Sequence, residues 1–250
     1  RVEKERNTQK QRRSNCLQVS LIGYTNAGKS TIMNALTNSG LLVEDRLFAT
    51  LDSTTRLLEE DSRPKVLLSD TVGFISNLPH EVIAAFRSTL ATVRDADLLL
   101  QVIDADDNIE EHLQTTSEVL EDLDAACIPI IKVFNKIDRI SPTRLLILEK
   151  SFPEAVFGSC ENGGKNGLEK NSAFVEQLRK QILLFFNERM KTMTIRLDYQ
   201  HSQKLANIYE LSRVDNIDYQ EEGILMTLTA IPGNLERLRH HLGSDYTEMR

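Results

Sequence analysis

Apolar and polar positions along the chain fall into compact apolar runs separated by longer segments with helical spacing. The runs at 17–22, 65–69, 98–104, 128–134 and 155–159 predict buried strands, and 56–60 predicts one antiparallel strand. Between them, 30–38, 80–94, 108–125, 142–150 and 167–188 predict helices. In the third of these, Ile109, Leu113, Thr116, Leu120 and Leu123 recur at helical period, so one face packs on the sheet. Ser141-Pro142 provides an N-cap and a first-turn proline for the fourth. Strands alternating with helices predict an α/β fold with a mostly parallel sheet.

After about residue 190 the pattern changes. Met193 to Asp198 reads as a strand and Ser202 to Leu211 as a helix; Val214 to Tyr219 and Ile224 to Ile231 read as a hairpin turning at Glu221-Glu222-Gly223. Pro232 opens a last helix. This predicts three parts: a basic end of a helical linker at 1–15, a nucleotide-binding domain at 16–190, and a small β-α-β-β-α domain of α+β class at 191–250.

The chemistry lies at the ends of the predicted strands. Gly23, Tyr24, Thr25, Asn26, Ala27, Gly28, Lys29 and Ser30 satisfy G-x-x-x-x-G-K-[ST] between a strand and a helix. Glycines let successive N–H groups turn inward on an anion, the helix start adds a positive end, Lys29 reaches β- and γ-phosphates, and Ser30 can ligate Mg²⁺. A nucleoside triphosphate is the implied ligand.

Which base binds is read downstream, where the strand ending at Phe134 runs into Asn135, Lys136, Ile137 and Asp138, an N-K-x-D sequence. The Asp138 carboxylate can accept from guanine N1–H and the 2-amino group, whereas adenine offers neither. A site built on such paired polar groups rejects the analogue lacking them by roughly 10⁴–10⁵. Between the two motifs, Asp70, Thr71, Val72 and Gly73 form D-x-x-G after an apolar strand. Asp70 would hold Mg²⁺ through water, and the Gly73 amide would sense the γ-phosphate. Upstream, Phe48, Ala49, Thr50, Leu51 and Asp52, then Thr54, Thr55 and Arg56, supply several threonines where a first switch must close over Mg²⁺; position alone leaves Thr50, Thr54 and Thr55 open.

Gly-Tyr-Thr-Asn-Ala-Gly-Lys-Ser, then Leu-Phe-Ala-Thr-Leu-Asp-x-Thr-Thr-Arg, then Asp-Thr-Val-Gly-Phe-Ile with Leu78-Pro79 and the Ala85 to Leu90 segment, together resemble the HflX family of ribosome-associated GTPases over about residues 1–190. The resemblance implies a P-loop GTPase domain of three α/β/α layers, and it implies that Thr50 is the Mg²⁺-binding switch threonine. It further implies catalytic roles for Lys29, Thr50 and Gly73, with Ser30, Thr50 and Asp70 around the metal. The partner it implies is the large ribosomal subunit, with a role in binding or splitting stalled ribosomes under stress. The fifth guanine element of such proteins usually reads Ser-Ala; here it reads Ser159, Cys160, Glu161 before a lengthened Gly-rich stretch. Several GTPases of ribosome assembly carry an Asn like Asn26 that helps bind K⁺ beside the phosphates; the other reading is a residue that hydrogen-bonds within its loop.

One residue shapes the expected mechanism. Many regulatory GTPases place a water-orienting Gln directly after D-x-x-G, and here Phe74 stands there, so intrinsic hydrolysis should be slow and a partner should complete the site. Two competing readings are a metabolite kinase, which leaves N-K-x-D unexplained, and a GTP-gated binding module in which hydrolysis is incidental.

Composition narrows this further. The net charge of −7 argues against broad polyanion binding, although residues 1–13 carry six Lys/Arg against two Glu. That cluster reads either as an RNA-phosphate contact or as the solvated end of a helix. No run approaches the ~18 apolar residues that span a bilayer, and a monomer is expected in the cytoplasm or, as the alternative, in an organelle matrix. Beginning at Arg1, the chain reads as an excised segment. Cys16, Cys127 and Cys160 lack metal-ligand spacing; Cys160 reads as a small neutral filler or an oxidation-sensitive thiol. His80-Glu81 starts H-E-x-x-H, but Ala84 ends the match, and adjacent His240 and His241 cannot share a helical face.

Overall fold

Ladder hydrogen bonds join the apolar runs into one large sheet in a computed structural model of the chain, which describes residues 16–37, 54–58, 65–74, 87–160 and 172–249. The strands are β1 (Leu17–Ile22), β2 (Thr54–Leu57), β3 (Val66–Asp70), β4 (Leu98–Asp104), β5 (Ile130–Asn135) and β6 (Val156–Phe157), in the order β2-β3-β1-β4-β5-β6. β1, β4, β5 and β6 pair in parallel, and β2 is an antiparallel edge strand on β3. The helices are α1 (Lys29–Thr37), α2 (Arg87–Arg94), α3 (Ile109–Asp122), α4 (Pro142–Ser151) and α5 (Ser172–Asn187). Ser141 caps α4 by accepting from the Arg144 amide, as its sequence predicts.

Core packing explains the strand composition. Leu98 to Ile103 of β4 are all buried, which is why every residue of this run except Gln101 is apolar. Ile22, Phe74, Val93, Leu99, Val119 and Leu120 form one cluster, and Ile103, Phe134 and Leu148 form another, with Phe152 and Phe157 against Phe134. Helix α3 buries His112, Thr115, Thr116, Val119 and Leu120, while Ile109, Leu113 and Leu123 are only half-buried at the margins. The predicted stripe is therefore real but centred one residue away, with His112 inside it.

Several predicted bounds shift. The strand expected at 56–60 lies at Thr54–Leu57, and the one expected at 155–159 shortens to Val156–Phe157 because the chain turns out at Gly158 to bond Phe134 and Ile137. Parts of two predicted helices, 80–86 and 167–171, fall outside the described residues.

A second compact unit includes residues 181–250. It contains β7 (Lys191–Leu197), a 3₁₀ turn (Tyr199–Lys204), α6 (Leu205–Leu211), β8 (Arg213–Gln220), β9 (Gly223–Ala230), α7 (Pro232–Leu242) and β10 (Tyr246–Met249). The antiparallel sheet runs β10-β7-β9-β8. Gln220 pairs with Gly223 across the Glu221-Glu222 turn, where the hairpin was expected. The predicted β-α-β-β-α order misses β10, a short edge strand on β7 whose four residues carry too little apolar alternation to announce it.

One face of this sheet packs Met193, Ile195, Leu197, Met226 and Leu228 against Ile208, Leu235, Leu238 and Leu242 of its helices. Truncating fully buried Leu228 to Ala should cost roughly 2–5 kcal/mol and speed amide exchange throughout β7 and β9. Unchanged exchange in those two strands would contradict this core.

Candidate nucleotide site

Six residues separate β1 from α1, and their backbone curls through positive φ at Gly23 (139°), Asn26 (60°) and Gly28 (97°). Asn26 is exposed and sits in the left-handed region that asparagine tolerates better than most side chains, which gives it a structural role in the loop. A Cβ at Gly28 would overlap the Asn135 carboxamide, so glycine is needed there for both conformation and close approach. Lys29, at the start of α1, is buried, and its Nζ donates to the carbonyls of Gly23 (3.2 Å) and Tyr24 (2.9 Å). The Ser30 hydroxyl, one residue on, donates to Asp70 Oδ2 at 2.5 Å.

The D-x-x-G segment is zipped onto this loop. Phe74 N–H donates to Gly23 O (3.0 Å), Thr25 N–H donates to Phe74 O (2.8 Å), and the Thr71 hydroxyl donates to Leu21 O (2.6 Å). A Cβ on Gly73 would stand 2.7 Å from Thr25 Cα and 3.0 Å from Lys29 Nζ, so only glycine brings this backbone so near the lysine. Val72 and the Phe74 ring are buried, the ring in the core against Ile22 and Leu99.

From the other side come the residues after β5. Buried Asn135 donates from Nδ2 to Ala27 O (2.9 Å) and accepts at Oδ1 from Cys160 N–H (3.3 Å). Lys136, itself at φ 62°, donates from Nζ to Asn26 O (2.7 Å) and pairs with Asp104 Oδ2 (2.8 Å). Ile137 and Asp138 form a 3₁₀ turn, anchored by Ile137 N–H on Gly158 O. Ser159 and Cys160 follow directly, and burial pushes the Cys160 thiol up to about 12, so it behaves as the neutral filler rather than an oxidation-prone thiolate.

The structure thus brings together the phosphate loop, D-x-x-G, N-K-x-D and Ser159-Cys160. Phe48, Ala49, Thr50, Leu51, Asp52 and Glu161 lie outside the described residues. Thr54 and Thr55 lie in β2 opposite Asp70 and Ser69, and the Thr55 and Ser69 hydroxyls are 2.9 Å apart. Sequence reasoning missed Asp104, whose position at the C-terminal end of β4 was the available signal, and His112, which lies on a helix face read only for its apolar members.

No group of three or more His, Cys, Asp or Glu among the described residues is placed to hold a metal. The adjacent Ser30 hydroxyl and Asp70 carboxylate are an oxygen-only pair. That donor set fits Mg²⁺, which takes one or two protein oxygens and completes its shell with phosphate and water.

Burial lowers the Lys29 ammonium to about 8, with Asp70 opposing. Between about 8 and the ordinary 10.5 the unfolded chain binds this proton more tightly, so stability rises with pH across that window and Lys29 is a full burden below it. Without nucleotide, Lys29→Met should therefore be more stable than wild type at pH 7, by on the order of 3 kcal/mol at most. The gap should narrow by pH 10, as read by denaturant midpoints; a gap independent of pH would refute a desolvated ammonium.

Residues 18–136 match a family model described as "50S ribosome-binding GTPase". The chain is 41% identical over 244 residues to "GTPase HflX" of Gluconacetobacter diazotrophicus, covering 97% of this chain and 52% of that protein. It is 36% identical over 237 residues to "GTPase HflX" of Escherichia coli, covering 93% of this chain and 54% of that protein. The chain spans about half the length of these curated relatives. Among solved structures, a single-residue variant of Aquifex aeolicus Era bound to GDP.AlF4- superposes with a TM-score of 0.51 at 21% identity, over 68% of this chain and 56% of that one, a likeness of fold. With its phosphate and guanine motifs gathered at one end of the sheet and relatives matched over nearly its whole length, the chain belongs to the HflX family of GTPases.

Proposed function

We propose that this chain binds GTP in preference to ATP and hydrolyses it to GDP and phosphate. One observation carries this reading: the Asn135 carboxamide bonds to the phosphate loop and to Cys160 at once, so the phosphate-binding and base-reading motifs form a single site. In it the amides of Gly23 to Ser30 and the Lys29 ammonium neutralise the β- and γ-phosphates, and Asp138 takes the guanine edge. Ser159, Cys160 and Glu161 back the base. Ser30, Asp70 and, from the family resemblance, Thr50 would hold Mg²⁺, which would supply positive charge to offset that of the phosphates. The Gly73 amide faces the γ-phosphate. Residues 16–190 act as the nucleotide-binding domain and 191–250 as a docking surface.

Two features make the turnover partner-dependent. The Phe74 side chain carries no hydrogen-bonding group and its ring is locked in the core, so it cannot orient water. Complementation of such a site is worth roughly 10³–10⁵ in rate. The family description points to the large ribosomal subunit as the partner, and binding or splitting stalled ribosomes in the cytoplasm is the role that fits. Among the described residues no helix is long and apolar enough to cross a membrane.

Equilibrium titration should give GTP and GDP affinities far above that for ATP, and Asp138→Asn should shift preference toward xanthosine nucleotides. Equal affinity of wild type for ATP and GTP would remove the guanine assignment. Cosedimentation with large ribosomal subunits should be stronger with a nonhydrolysable GTP analogue than with GDP, and subunits should accelerate turnover. Nucleotide-independent sedimentation with unchanged turnover would remove the ribosomal partner.

The exposed Asn26 side chain leaves a K⁺ contact beside the phosphates available. If it makes one, turnover is faster in K⁺ than in Na⁺ at equal ionic strength and Asn26→Ala erases the difference. Equal rates in both salts leave Asn26 only its backbone role.

A further inference from the structure

The phosphate loop is held from a side that none of its motifs explains. Tyr24 stacks on His112 of α3, with ring centroids 4.0 Å apart and planes 13° from parallel. His112 is buried; its Nε2 lies 3.5 Å from Asp107 Oδ2, and its Nδ1 has no hydrogen-bond partner among the described residues. An imidazole nitrogen shut away without a partner is costly, and the stack on Tyr24 and the Asp107 contact are the interactions that offset it.

Tyr24 is also the backbone hub of the loop. Its carbonyl accepts from Lys29 Nζ, and its two neighbours exchange hydrogen bonds with Phe74 at the end of D-x-x-G. Fixing the Tyr24 ring therefore fixes the carbonyl that aims the lysine and the peptide that registers D-x-x-G against the loop. Behind His112, the Asp107 carbonyl accepts from Arg144 of α4, and Asn108 caps α3 through the Glu111 amide, so the ring stands on a braced segment.

We propose that His112 is a positioning residue for phosphoryl transfer, acting through its stack on Tyr24 to pre-set the Lys29-bearing loop. The proposal rests on the GTP-hydrolysis reading. Holding a catalytic group in place before the reaction lowers the ordering that the transition state otherwise demands.

The test uses the full chain, with active sites counted by GDP titration so that partial unfolding does not enter the rate. His112→Ala should lower kcat per site at saturating GTP by roughly 2–10-fold, the range expected of an aromatic pair, while leaving the ratio of GTP to ATP affinity unchanged. His112→Phe, which keeps a stacking ring and loses the Asp107 contact, should restore the rate; His112→Asn, polar without a ring, should not. Tyr24→Leu should cause a similar loss, and adding His112→Ala to it should cost little more. Additive losses, failure of His112→Phe to restore the rate, or a lowered melting temperature with normal kcat per site would each overturn the proposal. An inactive wild type, with and without ribosomal subunits, would instead remove the hydrolysis reading on which it depends.

Discussion

A single buried carboxamide sets the geometry on which the nucleotide site depends. Asn135 must use both ends of its side chain, one on the Ala27 carbonyl and one on the Cys160 amide, because a buried polar group without partners is penalised. Three loops that arrive from β1, β5 and β6 are thereby held in one register. Gly28 is part of the same constraint, since any side chain there would occupy the space of the carboxamide. Lys136 adds a second tie by bonding Asn26 O while anchored to Asp104, so the N-K-x-D segment grips the G-x-x-x-x-G-K-S loop at two adjacent carbonyls.

Within that frame the loop carries a buried cation that the fold itself disfavours. Burial drives the Lys29 ammonium down, and carbonyls of its own loop are its hydrogen-bond acceptors. Such a group gains from meeting an anion, because phosphate charge would replace part of the hydration that folding removed. The Ser30 hydroxyl and Asp70 carboxylate stand beside it for the same chemistry on the cation side. Phe74, by contrast, trades reactivity for packing: its backbone pins D-x-x-G to the loop while its ring fills the core.

The second unit follows different physics. Its sheet is antiparallel, with an apolar face under two helices and threonine pairs such as Thr192 and Thr229 on the other side. No metal-binding cluster or phosphate loop lies among its described residues, and His240 and His241 meet edge-on in the last turn of α7.

The sequence by itself determined the α/β alternation, the parallel sheet, the location of the four nucleotide motifs and the hairpin at Glu221-Glu222, because each rests on local spacing: strand runs, helical periods, caps and loop signatures within a few residues. It also singled out Asn135, Lys136 and Asp70, though not what they touch. Strand β10 escaped because an edge strand of four residues needs a partner, not a pattern. Only the tertiary structure decided that Asn135 bridges two loops, that Asp104 holds Lys136, that Cys160 is a deeply buried thiol, and that Tyr24 lies on His112. Those contacts join residues 25 to 110 positions apart in the chain, as with Cys160 and Asn135 or Lys136 and Asn26. Local propensity carries no term for such distances; the packing of the sheet and its helices supplies it.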